Sequence, residues 1–107
     1  MLLTVLLYPD DPVSHINMAA SALTQRNMEL ATKHLERVKE LPEASNNMGV
    51  YYLLVGDAHN TEYYLSNADS TESVTHNLEE LDRLKEDLRR QELRARRGID
   101  NKTDDND

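Results

Sequence analysis

The sequence predicts an all-α protein, a right-handed stack of antiparallel helical hairpins closed by a long C-terminal capping helix. Three observations favour this fold class. Leucine occurs 16 times, against 8 valines and isoleucines together, and Phe and Trp are absent, which is typical of helices rather than sheets. Only 3 glycines and 3 prolines occur in 107 residues, and most of them separate amphipathic segments. A thirty-residue pattern also occurs twice in the first two thirds of the chain.

The first elements follow from these separators. Residues 1–8 are apolar and lack the basic residues and the cleavage site of a secretion signal, so we expect the last turns of a preceding helix there. Residues 12–40 form the first hairpin, which opens at a proline. Its turn is predicted at Arg26 and Asn27, and its second helix is predicted to run to Glu40.

Residues 42–68 form the second hairpin, again opened by a proline, with Gly56 and Asp57 as the turn between its helices. Gly49 lies inside the first helix of this hairpin, where a glycine is unfavourable. We therefore expect a close helix crossing at Gly49 that tolerates alanine but not leucine.

Residues 70–97 are predicted to form the capping helix, opened by a capping box of Asp69 and Glu72. One leucine-rich stripe should cover the second hairpin, and its members are Val74, Leu78, Leu81, Leu84 and Leu88. Residues 1–97 thus make one domain, and residues 98–107 are expected to be a disordered acidic tail because they offer nothing to bury.

The two hairpins are related by an internal repeat. Residues 12–41 align with residues 42–71 without gaps, and the identical pairs are Pro12 and Pro42, Asn17 and Asn47, Met18 and Met48, Leu23 and Leu53, and Leu35 and Leu65. Because the identities coincide with the junctions and the small-residue positions, each hairpin is predicted to be one repeated unit.

These residues resemble the tetratricopeptide repeat. The pattern falls on Met48, Gly49, Tyr52, Thr61 and Leu65 in the second unit and on Met18, Ala19, Ala22, Ala31 and Leu35 in the first. Thr61 departs from the pattern, because it stands in the family's alanine position. His15 and Ser45 stand in the family's tryptophan position, and the period is shorter than the 34 residues of the family. The resemblance implies a protein-interaction module without catalytic activity.

Repeats of this family bind peptides or protein surfaces in a groove lined by their first helices. The resemblance therefore implies a partner groove of ten candidate residues: Val13, Ile16, Asn17, Ala20, Thr24, Glu43, Asn46, Asn47, Val50 and Leu54. Asn17 and Asn47 occupy equivalent positions in the two units. In some family members such an asparagine holds a ligand backbone or carboxylate, but the basic residues that complete that clamp are missing here.

Residues 7–13 and 17–20 also resemble the C-terminal helical region of large outer-membrane-protein-A-like proteins of Gram-negative gut bacteria. That resemblance implies the C-terminal part of a larger envelope protein, located in the periplasm or at the outer membrane. A free-standing intracellular adaptor and a structural spacer without a specific ligand are the alternatives.

Several classes of function are disfavoured. The chain has no cysteine, no glycine-rich loop and no closely spaced histidine pair, so we expect no enzyme, no metal site and no cofactor. The net charge of −8 disfavours nucleic acid as a partner. No segment is long enough to insert into a membrane, and we expect a monomer whose partner is a protein or peptide.

Two features leave alternatives open. A basic cluster near the end of the last helix consists of Arg89, Arg90, Arg94, Arg96 and Arg97. It either compensates the helix dipole or contacts an anionic lipid or nucleic acid. In the tyrosine pairs at residues 51–52 and 63–64, one member should face the core; ligand stacking is the alternative role.

Overall fold

A computed structural model describes the backbone of residues 11–105 and the side chains of residues 11–98. The regular structure of these residues is entirely helical and contains no strand, which confirms the all-α class. The helices are α1 (Pro12–Thr24), α2 (Met28–Leu35), α3 (Ser45–Val55), α4 (Ala58–Asn67) and α5 (Glu72–Asp105), with a 3-10 turn at Pro42–Ala44 before α3. The preceding helix expected over residues 1–8 lies outside the described residues.

Helix α1 begins and ends where the sequence predicts. The Asp11 carboxylate accepts a hydrogen bond from the Val13 amide at 3.0 Å, and the proline that follows Asp11 needs no partner for its nitrogen. At the other end Arg26 adopts a left-handed conformation with φ of 60°. The Leu23 carbonyl accepts from both the Arg26 amide and the Arg26 guanidinium, each at 3.0 Å, which ties this turn to the end of α1.

Helix α2 is shorter than predicted, because it ends at Leu35 and not at Glu40. The chain continues in tight turns in which the Val38 amide donates to the Leu35 carbonyl and the Leu41 amide to the Val38 carbonyl. Pro42 accounts only for the extended backbone of Leu41 (φ −90°, ψ 131°), since a residue before proline avoids the helical region. Val38 is nevertheless buried.

The pair of α3 and α4 packs most closely at Gly49. Gly56, with φ of 83°, ends α3, and the Asp57 carboxylate caps α4 by accepting from the Asn60 amide at 3.1 Å. A methyl group on Gly49 would lie 2.5 Å from Leu65 Cδ2. The close crossing expected from the sequence is therefore present, and an alanine at this position would require the buried Leu65 side chain or one of the helices to shift.

Helix α5 packs against α3 and α4 through a narrower face than predicted. Val74, Asn77 and Leu81 are buried, whereas Leu78 is 40% exposed and Leu88 is 39% exposed. An asparagine takes the place expected for a leucine because its amide bonds to Asn46 of α3. An ion pair of 3.0 Å between Lys85 and Glu62 also joins α5 to α4.

Both predicted ends of the last helix require correction. The Thr71 hydroxyl accepts from the Val74 amide at 3.2 Å, so the cap is Thr71 and not the predicted box of Asp69 and Glu72. At the other end the backbone stays helical to Asp105, where a disordered tail had been expected from Gly98 onward. One glycine without a proline lowers helix stability by only about 1 kcal/mol, so an existing helix can propagate through it.

Helix α5 gives the described molecule its elongated shape, 70 × 27 × 21 Å, since its second half extends beyond the other helices. None of the described helices combines the length and the hydropathy that crossing a bilayer requires.

Candidate binding groove

A groove runs along one side of the molecule between α3 and α5 and ends against the last turn of α1. It consists of two adjoining cavities of about 620 Å³ and 250 Å³, which share Arg26, Val50 and Asn77 as lining residues. Because the shared residues join the cavities, we describe them together as the groove. The larger cavity is within the size range of ligand pockets in proteins, and the smaller one lies just below that range.

The floor of the groove is apolar where α3 and α5 meet. Val50, Leu53 and Leu54 contribute from α3 and Leu84 from α5, and all four are only half-buried. Half-buried aliphatic side chains in a concave surface can release water when an apolar ligand side chain covers them. The floor therefore suits hydrophobic residues of a partner.

One end of the groove carries a hydrogen-bonded network of amides. The Asn47 amide donates to the Ile16 carbonyl of α1 at 3.0 Å. The Asn77 amide donates to Asn46 Oδ1 at 2.9 Å, and the Asn46 amide donates to Ser73 Oγ at 3.0 Å. These bonds connect α3 to α1 on one side and to α5 on the other.

The network gives the repeated asparagines different roles. Asn47 uses an amide hydrogen to hold α3 against α1, whereas Asn17 is half-buried and lines neither cavity of the groove. The geometry therefore does not show Asn17 and Asn47 as two equivalent asparagines that clamp a ligand. Asn47 and Asn77 still face the groove, where further amide hydrogens and oxygens are available to a polar ligand backbone.

The ten residues predicted for the groove divide into two sets. Those that line it are Ala20, Thr24, Asn46, Asn47, Val50 and Leu54. Those that do not are Val13, Ile16, Asn17 and Glu43. The second set lies at or near the start of the first helix of each unit, where Val13 and Glu43 are exposed and Ile16 packs against the core.

The wall formed by α5 is the part that the sequence reasoning missed. Its lining side chains are Ser73, His76, Asn77, Glu80, Arg83, Leu84 and Asp87. Only Leu84 belonged to a predicted pattern, the leucine stripe, and that pattern assigned it to covering the second hairpin. The polar members carry no distinctive signal, because their position in the wall depends on how α5 crosses α3.

Charge of both signs surrounds the apolar floor. Arg83 forms an ion pair with Glu80 on the same helix, and Asp87 lies one turn further along. Arg26 stands at the junction of the two cavities, with its guanidinium bonded to carbonyls at the end of α1. The groove can therefore take a partner that presents apolar residues flanked by groups of either charge.

A second concavity lies away from the groove. It is bounded by the turns that follow α2 and by helix α4. It measures about 300 Å³, and its lining includes Lys39, Pro42, Tyr63 and Tyr64. Tyr64 stacks on Tyr52 with ring centres 5.6 Å apart and is half-buried. The stack joins α3 and α4, so the Tyr64 ring belongs to the packing between these helices, and its burial raises the pKa of the Tyr64 hydroxyl.

The tyrosine pairs differ from each other. In the second pair Tyr63 is 56% exposed and Tyr64 is half-buried, which agrees with one inward and one outward residue. In the first pair Tyr51 and Tyr52 are both half-buried, so neither faces fully outward. Tyr51 is held by the Thr32 hydroxyl, which donates to its oxygen at 3.2 Å.

Two histidines that are far apart in the sequence meet in the first helix pair. The Nδ1 atoms of His15 and His34 are 2.9 Å apart, and both side chains are buried. Burial, together with the charges of His15, Lys33 and Arg37, lowers the pKa of His34 below its ordinary value of 6.5. In the described residues no three histidine or carboxylate side chains converge as metal ligands.

Comparison of the chain with protein-family models, with curated proteins and with solved structures finds no match in any of the three.

Proposed function

We propose that this chain is a noncatalytic protein-interaction module of the tetratricopeptide-like kind, in which α5 caps the second of two helical units. The observation that carries the proposal is the continuous groove, which has an apolar floor and polar or charged walls. The sequence repeat supports the same architecture, since the small residues Ala19 and Gly49 occupy equivalent positions and are both buried.

The ligand class follows from the chemistry of the groove. The leucine and valine floor fits a row of apolar side chains, and the charged walls fit the polar residues that flank such a row in an amphipathic helix. Helices of this type bind grooves through residues spaced three and four apart. The partner is therefore a protein segment that presents an amphipathic helix.

The first experiment selects ligands without assuming a partner. A library of random peptides displayed on phage is selected against the full chain, and the peptides recovered are measured by isothermal titration. We expect apolar residues with helical spacing among them. Peptides that bind without such spacing would contradict the ligand class.

The groove is then tested with two matched variants in the same helix. Val50→Asp places a charge on the floor, and Val55→Asp places the same charge on a side chain that is 52% exposed and outside both cavities. We expect at least about tenfold weaker peptide binding for Val50→Asp and no change for Val55→Asp. Equal weakening, or none, contradicts the groove.

A control for folding accompanies this comparison because Val50 is half-buried. Leu84→Asp on α5 should weaken the same peptides, and thermal melts show whether each variant is folded. Chemical-shift changes of the parent protein on peptide addition should concentrate at Val50, Leu54 and Leu84. Changes confined to other surfaces refute the site.

The place of the module in the cell is a separate proposal, which rests on the sequence resemblance of residues 7–20. We propose that it is the C-terminal part of a larger envelope protein, in the periplasm or at the outer membrane. Detection of the native protein in envelope fractions with an antibody against this chain tests the proposal. Detection in the cytoplasmic fraction alone favours an intracellular adaptor.

A further inference from the structure

The buried histidines His15 and His34 meet at the open end of the first helix pair. His15 lies in the first turn of α1 and His34 in the last turn of α2, whereas the two helices are connected at Arg26 and Asn27. Each histidine is 7% exposed. Neither histidine lines the groove, so the proposed binding site does not use this pair.

The two rings point at each other through their Nδ1 atoms. These atoms are 2.9 Å apart and the ring centres are 5.2 Å apart. The difference is twice the radius of an imidazole ring, so both Nδ1 atoms lie on the line between the centres. A metal ion on that line would need the nitrogens about 4 Å apart. The geometry therefore fits a direct N–H···N hydrogen bond and not a metal bridge.

This hydrogen bond is compatible with at most one charged ring. When both rings are neutral, or one is protonated, one Nδ1 donates a hydrogen and the other accepts it. When both are protonated, each Nδ1 carries a hydrogen and two N–H groups collide. Two positive charges this close in a buried site also repel each other strongly. A second charge therefore breaks the contact.

The cations around the pair act against a second charge. Burial, followed by the charges of His15, Lys33 and Arg37, lowers the pKa of His34 below its ordinary value of 6.5. Lys33 and Arg37 both belong to the α2 side of the contact. When His15 is protonated as well, three cations therefore surround the His34 ring.

The carboxylates nearest to the pair along the described chain are engaged by other groups. Asp11 precedes His15 by one turn and accepts a hydrogen bond from a backbone amide at 3.0 Å. Glu36 follows His34 and pairs with Lys39 at 3.0 Å. Helix α3, which packs against both α1 and α2, carries no charged residue, and its ionisable groups are two tyrosines.

Water would stabilise an opened contact. Ser14, which precedes His15, is 2% exposed, and its hydroxyl has no hydrogen-bond partner among the described residues. Opening this end of the helix pair would give water to that hydroxyl and to both charged rings. Because α1 and α2 are connected at their other ends, this end can open by itself.

We propose that His15 and His34 form a pH-sensitive switch, which holds the start of α1 against the end of α2 until both rings are charged. The open form carries two charged rings and the closed form at most one, so the open form binds more protons. The open fraction therefore rises as the pH falls, by about tenfold per pH unit for each additional proton bound.

Nitrogen NMR of the imidazole rings tests the contact in the full chain. At about pH 8, where histidine is neutral, one ring of the pair should carry its hydrogen on Nδ1 and the other on Nε2. His59 and His76 are exposed and provide reference signals in the same spectra. Two rings with their hydrogens on the same type of nitrogen overturn the proposal.

Titration of the same sample from about pH 8 to about pH 4 tests the opening. Nuclear Overhauser contacts between the two rings should disappear as the second ring becomes charged, while those between Gly49 and Leu65 persist. Ring contacts that survive when both rings are charged overturn the proposal. A single transition in which both helix pairs lose their contacts together also overturns it.

An uncharged pair is the matched variant. His15→Asn with His34→Asn places amides near the two Nδ1 positions, so a hydrogen bond is retained without a titrating group. From about pH 6 to about pH 5, amide exchange should show opening of α1 rising at least about tenfold in the parent chain and less than about twofold in this variant. The control His59→Asn with His76→Asn should behave like the parent chain.

An equal rise in both double variants overturns the proposal. If the double variant of the pair does not fold at neutral pH, His34→Asn alone allows only one charged ring and should show the same loss of pH-dependent opening. A rise in His34→Asn as large as in the parent chain likewise overturns the switch.

Discussion

Replacing Gly49 with alanine adds one methyl group at the closest crossing of α3 and α4. The new Cβ would lie 2.5 Å from Leu65 Cδ2 and 2.8 Å from Leu65 Cγ, both far shorter than ordinary contacts. Leu65 is only 2% exposed, so its side chain cannot turn outward without leaving a gap in the core. The two helices or the leucine must therefore shift.

The expected magnitude is the difference of two effects. Alanine is about 1 kcal/mol better than glycine inside a helix. Overpacking of a core typically destabilises by about 1–3 kcal/mol. The net expectation is a loss of up to about 2 kcal/mol, and a chain of this length loses about 4–8 °C of melting temperature per kcal/mol.

A double-mutant cycle separates these effects. Thermal and urea unfolding are measured for Gly49→Ala, for Leu65→Ala and for the combination. Leu65→Ala alone should cost about 2–5 kcal/mol. In that background the clash is gone, so Gly49→Ala should become stabilising by up to about 1 kcal/mol.

Gly98→Ala is the matched control for the glycine change. Gly98 is also helical, but a Cβ there meets no atom within 4 Å. This variant should be as stable as the parent or slightly more helical. A Gly49→Ala protein that equals or exceeds the parent in stability would refute the contact with Leu65.

Three further predictions concern the histidine pair and the long helix. Because the pKa of His34 is lowered in the folded state, the unfolded chain binds more protons, and the free energy of unfolding measured with urea should fall as the pH decreases below about 6.5. His34→Gln should weaken this pH dependence, and an unchanged pH dependence in the variant would contradict the prediction. Removing residues 98–107 should leave the melting temperature unchanged. It should reduce the helical ellipticity at 222 nm in proportion to residues 98–105, which are lost from α5. No loss of ellipticity would favour the disordered tail. Truncation after Ser70 exposes the surfaces that Val74 and Leu81 cover, so residues 1–70 should aggregate or unfold without cooperativity. A monomer of residues 1–70 that unfolds cooperatively would show that α5 is dispensable.

Part of the candidate site follows from the repeat resemblance. Val50 and Leu54 belong to the groove that the resemblance implies, and both line the cavity between α3 and α5. No repeated or periodic pattern includes Arg26, His76 and Asp87, so no local signal distinguishes them from ordinary surface residues. Their convergence depends on the crossing of α5 over α3.

The helical class and the turns follow from local sequence, because Asp11, Asn27 and Asp57 cap helices through contacts with residues two or three positions away. Signals of that range do not depend on the rest of the fold. By contrast, packing between helices sets the burial of Asn77, the exposure of Leu78 and the close contact of Leu65 with Gly49. These outcomes depend on where another helix lies, and the burial of a side chain is set by its distance from residues that are remote in the sequence.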